Sequence, residues 1–167
     1  MKKKLIFIAI ILIGLSLFLF INSNNGLVNQ TDFIKIKSEY TSNDSLPTSE
    51  VVLNDYISRL SQIRSKSSVE LLPVIDTELE SAKTFFYYSK IILLFRELNK
   101  ENCTQSKKTQ LSNFLKMAID SSNNYSLNYS KIIIPADKEL LSIKNPELIA
   151  NYRQQLNKIN AQLNQIC

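Results

Sequence analysis

Histidine and tryptophan do not occur anywhere in this chain of 167 residues, and the only glycines are Gly14 and Gly26. The missing histidine removes the imidazole general base, the Cys-His dyad, the carboxylate-histidine metal site and the histidine haem ligand together. Beyond Gly26 there is no glycine, and no catalytic or cofactor motif stands out. Cysteine is scarce too: Cys103 and Cys167 are too few and too far apart for a zinc ribbon. The acidic run Asp76, Glu78 and Glu80 is spaced by two, which scatters the side chains around a helix instead of focusing them on one ion. An acid-rich first turn facing the helix dipole accounts for that run without calcium. No carboxylate pair is marked out for acid-base work, and the serines and tyrosines lack an activating base. The expectation is a protein that is not an enzyme and takes no cofactor or metal.

What is present begins at the N-terminus. Lys2, Lys3 and Lys4 lead into an apolar stretch that opens at Leu5 and closes at Ile21. Its 17 residues make about 26 Å of helix, close to a hydrocarbon core of about 30 Å. A cleaved secretory signal is the alternative, since it also has a basic start and an apolar middle. Cleavage needs a small-x-small pair, however, and the exit reads Phe20, Ile21, Asn22, Ser23, Asn24, Asn25, Gly26. A lipoprotein signal would need a nearby cysteine, and a prepilin a processing glycine before the stretch and a glutamate within it; neither pattern is present. The expected location is the cytoplasmic membrane, single-pass, with the lysines inside and the C-terminal domain periplasmic or extracellular. Setting Lys2, Lys3 and Lys4 aside lowers the net charge from +5 to +2. The remaining charge is mixed and dispersed, unlike the basic face of a nucleic-acid binder.

The predicted fold is all-α: a transmembrane anchor over 1–22, a flexible polar tether over 23–47, and an antiparallel bundle of three to four helices over 48–167. The tether is assigned on its Asn, Ser, Thr and Asp content, with one short apolar patch at Phe33, Ile34 and Ile36. The first bundle helix opens at Thr48 or Ser49 and carries Leu53, Tyr56 or Ile57, Leu60 and Ile63 at spacings of three and four, running to about Ser67. Pro73 suits the first turn of the second, whose stripe is Ile75, Leu79, Ala82, Phe86 and Leu93 and whose end falls near Asn99. Between Phe85 and Phe95 this helix is apolar almost all round, as in a central helix buried on several sides, or an oligomer or lipid-binding surface. A third helix extends from near Ser106 to Ile134, with Pro135 ending it; within it Tyr125, Leu127 and Tyr129 alternate as a strand would. Asn145, Pro146 and Glu147 open the last helix, and Ile149, Tyr152, Leu156, Ile159, Leu163 and Ile166 repeat at three and four.

Outside the cytoplasm two cysteines usually pair. In an antiparallel bundle the third helix runs away from Cys103 and the fourth returns, which makes an intramolecular Cys103–Cys167 bridge natural; linkage between two copies is the alternative. Five sequons mark Asn29, Asn43, Asn102, Asn124 and Asn128 as candidate glycosylation acceptors, with Asn29 and Asn43 expected to be accessible.

The leading functional expectation is a structural or adaptor protein that binds an unknown protein partner, or a further copy of itself, at the outer face of the cytoplasmic membrane. A ligand-sensing module signalling through a partner subunit is a second reading, since only residues 1–4 are expected inside the cell. The anchor, the heptads ending at Ile166 and the pair Cys103 and Cys167 together loosely resemble the inner-membrane spanin subunits of phages. That resemblance implies membrane remodelling and cysteine-linked copies. The polar segment after Ile21 and the interrupting Pro73, Pro135 and Pro146 depart from the single long rod of that family.

Overall fold

Prolines and side-chain caps set most helix starts. The computed structural model describes residues 27–42, 45–98 and 102–166; the expected anchor, residues 1–22, lies outside them. Among the described residues there are six helices and no named strand: α1 Gln30–Tyr40, α2 Glu50–Arg64, α3 Leu72–Glu97, α4 Gln105–Lys131, α5 Pro135–Lys138 and α6 Pro146–Ile166. The chain is all-α, and no helix among the described residues is long and apolar enough to cross a membrane.

The segment 23–47 is where the structure departs furthest from the tether expectation. Asn29 and Asp32 form a reciprocal capping box, each side chain accepting from the other's backbone N–H at 3.1 Å. The helix they start places Phe33, Ile36 and Tyr40 on one face at spacings of three and four. Phe33 is fully buried in one cluster with Leu53, Tyr56 and Leu60, and the Tyr40 ring stacks on Tyr56 at 5.1 Å. Val28 N–H donates to the Lys66 carbonyl at 2.7 Å, so the domain is fastened from residue 28 and does not begin at 48. Polar composition suggested a linker; one fully buried aromatic, Phe33, with Ile36 and Tyr40 partly buried beside it, is enough to dock a short helix against an existing core.

The other helices lie near their expected positions. Pro73 sits in the first turn of α3 and Pro146 opens α6, where Asn145 Oδ1 accepts from Glu147 N–H at 2.9 Å. The serine-rich stretch of α4 stays helical. Ser122 and Ser126 hydroxyls donate back to the carbonyls of Ile119 and Ser122, while Tyr125 is fully buried and stacks on Tyr129 one turn on, at 5.7 Å. α4 closes at Lys131, and Pro135 opens the one-turn α5, an element with no periodicity to reveal it.

Successive long helices run antiparallel. Glu50, Tyr56 and Arg64 of α2 meet Lys90, Glu78 and Asp76 of α3 in reverse order. Tyr87 of α3 stacks on Phe114 of α4 at 6.1 Å, and Asn123 of α4 accepts from Arg153 of α6 at 2.9 Å. α6 then lies parallel to α3, with Tyr152 against Phe85 and Tyr88. α3 is the central helix in its first half, where most residues of 74–84 are buried. Its second half is covered on fewer sides: Ile91 is buried, but Leu93, expected on the core stripe, is 60% exposed.

Candidate functional site

Glu78 is a fully buried acid in the middle of the domain. Its Oε1 accepts from the Tyr56 hydroxyl at 2.8 Å and from the Ser142 hydroxyl, while Oε2 accepts from Ser142 N–H at 2.8 Å. The three donors come from α2 and from the loop between α5 and α6, so one carboxylate joins α2, α3 and that loop. The acidic run is divided by the helix as its spacing requires. Asp76 pairs with Arg64 and Glu80 pairs with Lys83 at 2.9 Å, whereas Glu78 turns inward. A role for all three at the helix dipole does not fit, because Glu78 serves the core.

Burial, then the Glu78 charge and hydrogen bond, raise the Tyr56 phenol well above its ordinary value of 10.0. Such a phenol keeps its proton and is no activated nucleophile. Tyr125, whose hydroxyl donates to the Ile143 carbonyl at 2.9 Å, is raised too, chiefly by burial and then by Tyr129 and Glu78. Every buried side-chain nitrogen and oxygen among the described residues has a hydrogen-bond partner, and no group of three or more metal-ligating side chains is found among them. This arrangement is a closed polar cross-link.

Two concave regions flank it. A cavity of about 290 Å³ lies beside Ser142, with Leu46, Phe85, Leu148 and Tyr152 as apolar walls and Ser45 and Thr48 at its edge. Burial, then Tyr88, raises the Tyr152 phenol. A wider groove of about 530 Å³ runs along α3 and α4 past Arg64, Glu80, Lys83, Asn124, Asn128 and Lys131, with charges of both signs. The chain matches no family model, no curated protein and no solved structure.

The residues singled out in the sequence are dispersed over the domain. Cys103 lies in the turn before α4; Cys167 is outside the described residues, and no cysteine among the described ones is free. Leu111 of α4 and Leu163 of α6 share a core cluster, which brings the end of α6 back toward the Cys103 turn. Asn29 is exposed but occupied as the α1 cap, and Asn43 is outside the described residues. The Asn102 amide donates to the Glu97 carbonyl at 2.6 Å, Asn124 is exposed in the groove, and Asn128 accepts from Lys131 at 3.1 Å. The sequence did carry one unused signal for the buried acid: Glu78 stands three residues after Ile75 and four before Ala82, on the apolar face itself.

Proposed function

We propose that the chain is a single-pass, membrane-anchored protein whose helical domain faces outward and acts as a structural or adaptor binding partner, not an enzyme. The observation that carries this reading is the incompletely covered second half of α3. Leu93 is 60% exposed there, and on the same side of α3, three and seven residues back, Lys90 lies over the partly buried rings of Phe86 and Phe114 at 4.9 and 5.7 Å. An apolar surface with aromatics at its edge is what a protein partner covers. The interior supports the same reading, since the Glu78 carboxylate is held by Tyr56 and Ser142 and the Tyr125 hydroxyl by the Ile143 carbonyl. In this proposal the segment from Leu5 to Ile21 holds the membrane and a Cys103–Cys167 bridge closes the end where α4 begins and α6 finishes.

Photo-cross-linking tests it. A photoreactive residue at Leu93 of the full chain in its native membrane is expected to give one discrete adduct with another protein, while the same label at exposed Asn151 gives none. Equal, diffuse labelling at both positions rejects the adaptor reading. An adduct between two copies would favour self-association and bring forward the spanin-like remodelling alternative. The ligand-sensing alternative draws on the 290 Å³ cavity with apolar walls and hydroxyls at its rim, which suits a small, mostly apolar molecule.

A further inference from the structure

We infer that one end of the helical domain, carrying Leu27, Val69, Ile133 and Ile134, rests on the lipid bilayer and sets these side chains into its headgroup region. The inference rests on the membrane-anchor reading above and adds to it a second, superficial contact.

Three chain segments meet at that end. α2 finishes there at Arg64, α3 begins at Leu72 and α4 finishes at Lys131. Val28 is bonded to Lys66, and Asn29, Ser68, Leu71 and Asp137 line one small cavity between the turns. The turns expose apolar side chains where solvent-facing loops ordinarily carry polar ones: Ile133 is 90% exposed, Val69 80%, Ile134 56% and Leu27 43%. Exposed apolar residues scattered singly need no explanation, but branched aliphatics on three adjoining turns at one end form a patch.

Chain length says what meets that patch. The apolar stretch closes at Ile21, and Leu27 is already part of the described domain. The peptide between them reaches about 22 Å at full extension, taking about 3.6 Å per residue. A tether over 23–47 would have let the domain float clear of the membrane; folding of α1 into the core removes that freedom. The end that holds Leu27 is therefore the end nearest the bilayer. Lys66, Lys131 and Lys138 in and beside the turns exceed Glu70 and Asp137 by a single charge, far short of a polybasic cluster, so apolar insertion and not attraction to anionic lipid makes the contact. Leu93 sits about 30 Å farther along α3 at about 1.5 Å per residue, which leaves the partner-binding surface facing away from the membrane.

The absence of tryptophan makes the test direct. Ile133→Trp, Val69→Trp and, as the distant control, Leu93→Trp each give the full chain a single tryptophan in vesicles of neutral phosphatidylcholine, with or without bromine on the upper acyl chain. Flotation after an alkaline wash reports the anchor separately. Support consists of floating protein in which brominated lipid lowers the emission of Ile133→Trp and Val69→Trp at least twofold and leaves Leu93→Trp unchanged. Floating protein in which the three are quenched equally or not at all overturns the docking and leaves the anchor standing. Blue-shifted emission from Ile133→Trp without quenching also overturns it, because a second copy or another protein then covers that end. Protein that fails to float removes the anchor and the docking together.

Discussion

Replacing Glu78 by leucine should destabilise the domain, and replacing Glu78 and Tyr56 together should cost less than the sum of the two single variants. The carboxylate is fully buried and takes three hydrogen bonds, two of them from Ser142 and one, at 2.8 Å, from the Tyr56 hydroxyl. Leucine keeps about the same volume and removes a charge that is itself costly to bury, but it leaves the Tyr56 hydroxyl and both the hydroxyl and the N–H of Ser142 without an acceptor. Each orphaned donor costs about 1–3 kcal/mol, less at Ser142 because water reaches it, and the relieved desolvation offsets part of the sum. The expected net loss is roughly 2–4 kcal/mol, or about 6–14 °C in Tm for a domain of this size. Adding Tyr56→Phe to Glu78→Leu removes one orphan, so the double variant should recover about 1–3 kcal/mol relative to the sum of the singles. Urea unfolding followed by far-ultraviolet circular dichroism supplies the four stabilities of the cycle. A loss below about 0.5 kcal/mol for Glu78→Leu, or strict additivity in the cycle, would refute the closed cross-link between α2, α3 and the loop before α6.

Stability should also fall in alkali. Tyr56 and Tyr125 are raised above 10.0 in the fold, so the unfolded chain releases these protons first. Their contribution is whole below about pH 10 and declines above it by about 1.4 kcal/mol per pH unit for each phenol. Urea titrations between about pH 9 and 11 should show a shallower decline for Tyr56→Phe, by the equivalent of one proton; identical slopes would contradict the raised phenol. Phe33→Ala should cost about 3–5 kcal/mol and open the chain to trypsin at Lys35, whereas unchanged stability would mean that α1 is not part of the core. On gels, the full chain should migrate faster without reductant, with the shift lost in Cys103→Ser and in Cys167→Ser; a reductant-sensitive dimer would instead place the bridge between copies.

Much of the fold was legible locally. The start of α6 is written in Asn145 and Pro146, because capping and a fixed proline φ act within one turn. The core faces of α2 and α6 follow from apolar spacing alone, and the acids at spacing two were bound to diverge around α3. In α4 the local signals competed. Tyr125, Leu127 and Tyr129 alternate like a strand, and buried Tyr125 with half-buried Tyr129 stacked on it decided for helix while Leu127 stayed in solvent.

By itself the sequence determined the all-α class, the lack of imidazole chemistry and the positions of four of the six helices among the described residues, since each depends on composition or on contacts within a few residues. Only tertiary structure decided the fate of Phe33 and of Glu78. Phe33 became core because α2 offered Leu53, Tyr56 and Leu60 to cover it, some twenty residues along the chain. Glu78 became an internal cross-link because Tyr56 and Ser142, 22 and 64 residues away, bring their donors to the same point. Burial of a polar group depends on what arrives from elsewhere to satisfy it, and that is a property of the packed chain.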